Sequence, residues 1–327
     1  MKVLVTGGAG YIGSHVVADL VKAGHDVAVV DNLSSGQRQH VHPSARFYLA
    51  DTTRPIELAK VFVTETGSAP IDVVMHFAAK LDVEESVRLP LAYYHNNVEG
   101  LRIVLACMLD AGVKNIVFSS TAAVYGDPLA QEPLSEHMPT LPINPYGSSK
   151  RAAEQLIQWV SASDGINYAI LRYFNAAGAD ESCALGLEKP HYTHLVPLAV
   201  RAALGLEDAV KIFGDDWQTP DGTCIRDYIH VSDLSDAHLL AAQYLLTEQK
   251  SLLLNLGTAQ GSSVKEVIAA VDKLRPCPYQ VVGKRAGDPA VLIADASKAH
   301  EVLGWCPQRD LDVIVKSDLN YRLRART

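Results

Sequence analysis

The strongest constraint on what this chain can fold into is a cluster of glycines near its start. Thr6-Gly7-Gly8-Ala9-Gly10-Tyr11-Ile12-Gly13 follows directly on the apolar run Val3 to Val5 and opens a segment, Ile12 to Ala23, with apolar residues at helical spacing. Glycines placed this way let a strand turn tightly into a helix and let the backbone N–H groups of the helix N-terminus approach a pyrophosphate. A second apolar run, Val27 to Val30, ends in Asp31, close to the roughly 20-residue spacing at which an acid accepts hydrogen bonds from adenosine ribose hydroxyls. A carboxylate there repels a 2′-phosphate. Strand, glycines, helix and acid in register predict a dinucleotide site that takes NAD rather than NADP.

The same alternation continues along the chain. Phe47 to Leu49, Val73 to Phe77, Ile116 to Phe118 and Tyr168 to Leu171 read as short apolar strands, while about Ala92 to Ala111 and Tyr146 to Ser161 carry the three- and four-residue apolar spacing of crossover helices. This predicts an α/β fold, a Rossmann-type doubly wound parallel sheet with a smaller C-terminal α/β substrate domain. Residues 1–175 are expected to form the NAD-binding domain and 176–327 the second domain, because Pro190, Pro197, Gly214, Pro220 and Gly222 punctuate shorter elements beyond Asn175. Asp233 to Leu246 reads as an amphipathic helix, so 231–257 is expected to pack back on the first domain. A length of 327 residues accommodates two such domains.

A net charge of −8 argues against nucleic acid or an anionic membrane as a partner, so an anionic ligand must be held locally. No apolar run approaches the roughly 18 residues that a membrane helix needs, and the first strand is too short for a signal peptide; a cytoplasmic location is expected. Cys107, Cys183, Cys224, Cys277 and Cys306 are odd in number and lack CxxC spacing, which predicts reduced cysteines and no metal site.

Chemistry is expected at the carboxyl ends of the strands. Ser119-Ser120-Thr121 ends one strand, and Tyr146-Gly147-Ser148-Ser149-Lys150 places a phenol and an ammonium four residues apart on one helix face. The lysine cation, with a positive nicotinamide ring, is expected to lower the Tyr146 pKa from about 10 and make it a base, with the Thr121 hydroxyl bridging it to a substrate alcohol.

The motifs VTGGAGYIGSHV, DNLSSG, HFAA, ESV-x-x-P-L-x-YY-x-NNV-x-G, SS-x-A-x-VYG, PYG-x-SK, LRYFNAAGA, FG-x-D-x-x-T-x-DGT-x-x-RDYIHV-x-DL and GD-x-A-x-x-x-AD span nearly the whole chain. Through them it resembles the extended short-chain dehydrogenase/reductase family and, within it, the UDP-galactose 4-epimerases. The resemblance implies tightly held NAD, with Thr121, Tyr146 and Lys150 catalytic, and reversible interconversion of UDP-glucose and UDP-galactose through a 4-keto sugar. It also implies that Gly7, Gly10, Tyr11, Ile12, Gly13, Asp31, Asn32, Asp51, Thr52, Phe77, Ala78, Ala79, Asn96 and Tyr173 line the cofactor, together with Tyr146 and Lys150. For the UDP-sugar it implies Thr121, Asn175, His194, Leu195, Lys211, Phe213, Arg226, Tyr228, Val264, Arg285, Asp288 and Leu292. Arg226 and Arg285 would clamp the diphosphate, Asp288 would accept the uridine ribose hydroxyls and Leu292 would border the C2 substituent of the sugar. A homodimer through the helices containing Asn97 to Ala111 and Tyr146 to Ser161 is implied as well.

Two departures stand out. Lys80-Leu81-Asp82-Val83-Glu84-Glu85 adds acids where some members carry a glycine, and Thr121 replaces a common serine. Related dehydratases carry Asp-Glu after that hydroxyl residue; here Ala122 and Ala123 offer no group to protonate a leaving hydroxide. Another NAD-dependent nucleotide-sugar epimerase or dehydratase, or a non-catalytic NAD-binding regulator, stays open from the residues alone.

Overall fold

The computed structural model describes residues 1–127, 132–189, 191–285 and 289–324. Its strands are β1 (Lys2–Thr6), β2 (Asp26–Asp31), β3 (Arg46–Leu49), β4 (Val73–His76), β5 (Asn115–Thr121), β6 (Asn167–Tyr173), β7 (Asn175–Ala177), β8 (Val210–Phe213), β9 (Ile225–His230), β10 (Leu252–Leu256), β11 (Gly261–Ser263), β12 (Tyr279–Val282) and β13 (Val291–Leu292). The helices are α1 (Tyr11–Lys22), α2 (Pro55–Thr66), α3 (Val83–Arg88), α4 (Pro90–Tyr94), α5 (Gly100–Asp110), α6 (Pro145–Asp164), α7 (Leu195–Ala203), α8 (Val231–Glu248), α9 (Val264–Asp272), α10 (Ser297–Leu303) and α11 (Leu311–Arg324). The chain folds as two compact units: Met1–Gly126, Pro139–Arg172 and Ser235–Leu254 make the first, and Asp127–Met138, Tyr173–Leu234 and Asn255–Thr327 make the second.

The first unit is built on a seven-stranded sheet of order β10-β6-β5-β4-β1-β2-β3. The pairs β1–β2, β1–β4, β2–β3 and β4–β5 run parallel. Parallel strands must be crossed over by helices, and both faces are then buried, which is why β1 and β4 are apolar along most of their length. Leu4, Val74, Ile116 and Phe118 pack with Leu58 and Phe62 of α2 and Leu101, Val104 and Met108 of α5 in one core. The strand order reverses direction between β1 and β4, the switch point at which the carboxyl ends of such a sheet open a crevice. There Phe77 and Ala78 donate their N–H groups to the Thr6 carbonyl, at 2.9 and 3.1 Å.

The segment expected as one helix from about Ala92 to Ala111 is interrupted. A π-helical turn, His95–Glu99, joins α4 to α5. An inserted residue of this kind rotates the side chains on either side of it, and it brings two neighbouring asparagines, Asn96 and Asn97, to the same backbone N–H of Lys80, at 2.9 and 2.8 Å.

The second unit carries β9 as its centre: β11 pairs with it antiparallel, β7 and β13 parallel. A separate two-stranded parallel sheet joins β8 and β12. The core gathers Val196, Val200, Ile212, Tyr228, Val267, Val271, Ile314 and Val315 from α7, β8, β9, α9 and α11.

Candidate active site

The glycine loop fits a dinucleotide. Gly7 sits at φ +75°, and a Cβ on Gly13 would stand 2.3 Å from the Gly7 carbonyl oxygen, so strand end and helix start meet without room for a side chain. Gly10 is the N-cap of α1 and brings no capping side chain in front of the helix end. The N–H dipoles of the first turn, at Tyr11, Ile12 and Gly13, are therefore presented in the way a pyrophosphate needs. Asp31 ends β2 and is buried, with one carboxylate oxygen accepting from Ala9 N at 3.0 Å and the other from Leu33 N at 2.8 Å. Each oxygen keeps a second lone pair for a ribose hydroxyl. Burial pushes its carboxyl above the usual carboxylate range.

Next to this acid, three further residues expected along the cofactor, Asn32, Asp51 and Thr52, form a cluster of their own. Asn32 donates to Asp51 at 2.8 Å, and Asp51 accepts both the backbone N–H and the hydroxyl of Thr53. Thr52 is buried beside them. Phe77, Ala78 and Ala79 follow β4 at the switch point, and the Phe77 ring packs 4.8 Å from that of His238. Tyr173 ends β6.

The local sequence dictates where α6 begins. Asn144 caps α6 by accepting from Gly147 N at 2.8 Å, and Pro145 occupies the first helical position. Tyr146 then falls in the first turn, where the helix end favours negative charge. Gly147 is required by proximity: a Cβ there would lie 2.5 Å from the Ala123 carbonyl oxygen. The close approach brings Tyr146 to the end of β5, where the Thr121 hydroxyl favours the ionised phenol. Lys150 is buried; its Nζ donates to the Ser119 carbonyl at 2.8 Å and lies 4.8 Å from the centre of the Phe118 ring.

The electrostatics differ from the simple expectation for this pair. Burial raises the Tyr146 pKa, and the Thr121 hydroxyl only offsets part of that. Lys150 does not lower it below the ordinary value, because its own ammonium is buried, is directed to the Ser119 carbonyl and is pushed down to about 7. In the protein by itself desolvation outweighs charge pairing at the phenol.

The acids of the 80–85 segment take structural parts. Asp82 caps α3 through Glu85 N at 2.8 Å. Glu85 accepts from the Tyr93 hydroxyl at 2.9 Å and pairs with Lys80 at 3.3 Å. The Tyr93 ring meets that of Tyr146 edge-on at 6.5 Å.

In the second unit, the residues expected at a UDP-sugar gather on β9 and its neighbours. Arg226 pairs in register with Leu292 of β13 and Ser262 of β11, and Asn175 of β7 with Tyr228. Asn175 donates to the Asp227 carbonyl at 3.0 Å, which uses one of its two amide hydrogens. Lys211 and Phe213 lie on β8, and the Arg285 guanidinium stands 5.1 Å from the Phe213 ring centre. His194 is the N-cap residue of α7 and Leu195 its first helical residue; Val264 opens α9 behind a capping box made by Ser263 and Glu266. Asp288 lies outside the described residues.

Known proteins resemble the chain in sequence and in fold. A family model described as the NAD dependent epimerase/dehydratase family matches residues 3–257. The chain belongs to that family. Within it, the chain is 47% identical to UDP-glucose 4-epimerase of Lactobacillus helveticus over 95% of this chain and 93% of the relative. Among solved structures it is similar to a UDP-glucose 4-epimerase from Stenotrophomonas maltophila with bound NAD and formylated UDP-arabinopyranose, at a TM-score of 0.95 and 40% identity, covering 100% and 99% of the two chains. A UDP-glucose 4-epimerase from Bifidobacterium longum in complex with NAD+ and UDP matches at a TM-score of 0.92 and 38% identity, again over 100% and 99%.

Several residues packed around α6 were not singled out from sequence. Asn97 donates to the Ser149 hydroxyl at 3.0 Å, and Ser149 in turn donates to the Tyr146 carbonyl at 2.7 Å. Glu154 and Arg172 form a buried pair at 2.6 Å. The available signal was spacing: Tyr146, Lys150 and Glu154 recur every four residues on one helix face.

Proposed function

We propose that the chain interconverts UDP-glucose and UDP-galactose with tightly bound NAD. The observation that carries this reading is Tyr146 one helical turn from a buried Lys150 anchored to the strand that ends in Thr121, all at the carboxyl end of a dinucleotide-binding sheet in a chain whose relatives are UDP-glucose 4-epimerases. Tyr146 removes the proton of the sugar C4 hydroxyl, with Thr121 between phenol and substrate, and returns a proton there when the reaction is completed. Bound NAD supplies a reversible hydride acceptor and a positive ring, so the 4-keto sugar can be reduced on its other face with no net redox change. Gly7, Gly10, Tyr11, Ile12 and Gly13 hold its pyrophosphate, and Asp31 and Asn32 its adenosine ribose. Asp51, Thr52, Phe77, Ala78, Ala79, Asn96 and Tyr173 complete that site.

The UDP is held by charge-assisted bonds from Arg226 and Arg285, with Asn175, His194, Leu195, Tyr228 and Val264 beside them. Lys211 and Phe213 receive the uracil, Asp288 the ribose and Leu292 faces C2 of the sugar. Dehydration is disfavoured at the same site because Ala122 and Ala123 follow Thr121 with no acidic group. A cytoplasmic location belongs to the same proposal, from the odd number of the cysteines and their lack of CxxC spacing. A homodimer through the α5 and α6 faces accounts for Trp159 of α6 standing 73% exposed.

The test is turnover without added cofactor. Purified protein incubated with UDP-galactose should form UDP-glucose and should release NAD on denaturation. Protein that contains NAD yet converts neither sugar would remove the reading.

A further inference from the structure

Three consecutive residues of β5 are tied to three successive turns of one face of α6. The Ser119 carbonyl accepts from Lys150 Nζ at 2.8 Å, the Ser120 hydroxyl donates to Glu154 Oε1 at 2.5 Å, and the Thr121 hydroxyl favours the ionised phenol of Tyr146. Two of these turns are the proposed catalytic pair. The third, Glu154, is as deeply buried as Lys150, and it also chelates Arg172 of β6 through Nε at 2.9 Å and Nη2 at 2.6 Å. Arg172 donates in addition to the Tyr125 hydroxyl at 3.0 Å.

Stability is a weak reason for such a pair, because well-packed apolar residues of the same volume are often as stable as a buried ion pair. Its position one helical turn beyond Lys150 offers a better one. The titratable groups that act on or are acted on by Lys150 are Glu154 from its own helix and His76 from β4, with Tyr146 one helical turn before it, while β5 contributes the Phe118 ring and the Ser119 carbonyl. His76 is held neutral by burial and by the lysine itself. Glu154 is thus the anion in this set. Facing it in turn are Arg172 and Ser120, with Tyr125 behind Arg172.

We propose that Glu154, aligned by Ser120 and Arg172, is a positioning residue that keeps Lys150 protonated and in place at the pH where Tyr146 works. It touches neither substrate nor cofactor and acts through Lys150. The inference rests on the catalytic reading of Tyr146 and Lys150 given above. Its electrostatic part agrees with the balance at the lysine, where burial drives the ammonium toward neutrality and Glu154 opposes it.

The experiment is the pH profile of kcat for UDP-galactose in the NAD-loaded protein. Glu154→Gln should move the alkaline limb to lower pH by about one unit and lower kcat about tenfold at pH 8, with KM little changed. Glu154→Asp, which keeps the charge, should restore the wild-type profile. If Glu154→Gln alone does not fold, Glu154→Gln with Arg172→Met removes the charge without leaving a buried cation, and the same downward shift is expected. An alkaline limb that overlays wild type in the folded variant would overturn the proposal. Ultraviolet titration of tyrosinate in the NAD-loaded protein, read against Tyr146→Phe, gives a second measure that needs no turnover. There Glu154→Gln should raise the pH at which the Tyr146 phenolate forms, and an unchanged titration would likewise overturn it. Failure of the wild type to convert UDP-galactose would sink the functional reading instead, and the titration would still decide this one.

Discussion

Lys150 Nζ stands 2.8 Å from the Ser119 carbonyl oxygen, so the ammonium is anchored to the same strand that carries Thr121. Strand end and helix start are held in register by that bond, and the phenol of Tyr146 is held with them. This geometry makes the first prediction. Tyr146→Phe should cut turnover by about 10² or more while NAD stays bound, since it removes the base and leaves the packing. Thr121→Ala should be severe and Thr121→Ser mild, because serine keeps donor and acceptor. Steady-state rates with UDP-galactose, alongside NAD released on denaturation, check all three.

The glycine loop gives the second. Because a Cβ on Gly13 would lie 2.3 Å from the Gly7 carbonyl oxygen, Gly13→Ala must push α1 away from the strand end. The expected outcome is protein that purifies with little or no NAD. Full NAD content in Gly13→Ala would show that the helix end does not hold the pyrophosphate.

Much of this was legible in the sequence, and the physical reason is periodicity. The strands β1, β2, β4, β5 and β6 are buried, apolar and flanked by helical spacing, so their places follow from the chain alone. The π-helical turn at His95–Glu99 has no such signature, since apolar spacing carries across it, and Asn96 and Asn97 reach the same Lys80 N–H only because of it. Glu154 was hidden for a different reason: a glutamate on a helix usually faces water, and only the fold brings Ser120 and Arg172 to it. The pKa of Tyr146 went the other way from its sequence expectation because spacing reveals a neighbouring charge but not the burial that opposes it.

His76 supplies a pH prediction. It is buried at the end of β4, 2.7 Å from the Thr6 hydroxyl and stacked at 5.9 Å on Phe118; burial first, and Lys150 second, hold its pKa down at about 3. Its folded pKa lies below the unfolded value, so between those values the unfolded chain binds more protons and stability falls as pH falls. The contribution is intact above about pH 6.5 and should decline by about 2 kcal/mol from pH 7 to pH 5. Urea unfolding at the two pH values, in wild type and in His76→Gln, checks it. The variant should lose correspondingly less on acidification.

Leu292 sets a prediction on substrate range. It is half-buried on β13, opposite Arg226 of β9, and a leucine offers no hydrogen bond to an acetamide at C2 of a sugar. UDP-galactose should be preferred over its N-acetyl counterpart by roughly 10- to 200-fold in kcat/KM, the range a misfit in an apolar pocket produces. Leu292→Ser should narrow the gap. Equal values in the wild type, or no gain in the variant, would show that Leu292 is not the gate.

The central claim is transient oxidation at C4 without loss of the hydride, and an isotope decides it most directly. UDP-galactose carrying deuterium at C4 is incubated with the purified protein in ordinary water, without added NAD, and the UDP-glucose formed is analysed. The account predicts UDP-glucose with the deuterium retained at C4. Product that has exchanged its label with solvent, or no product from NAD-loaded protein, would contradict it.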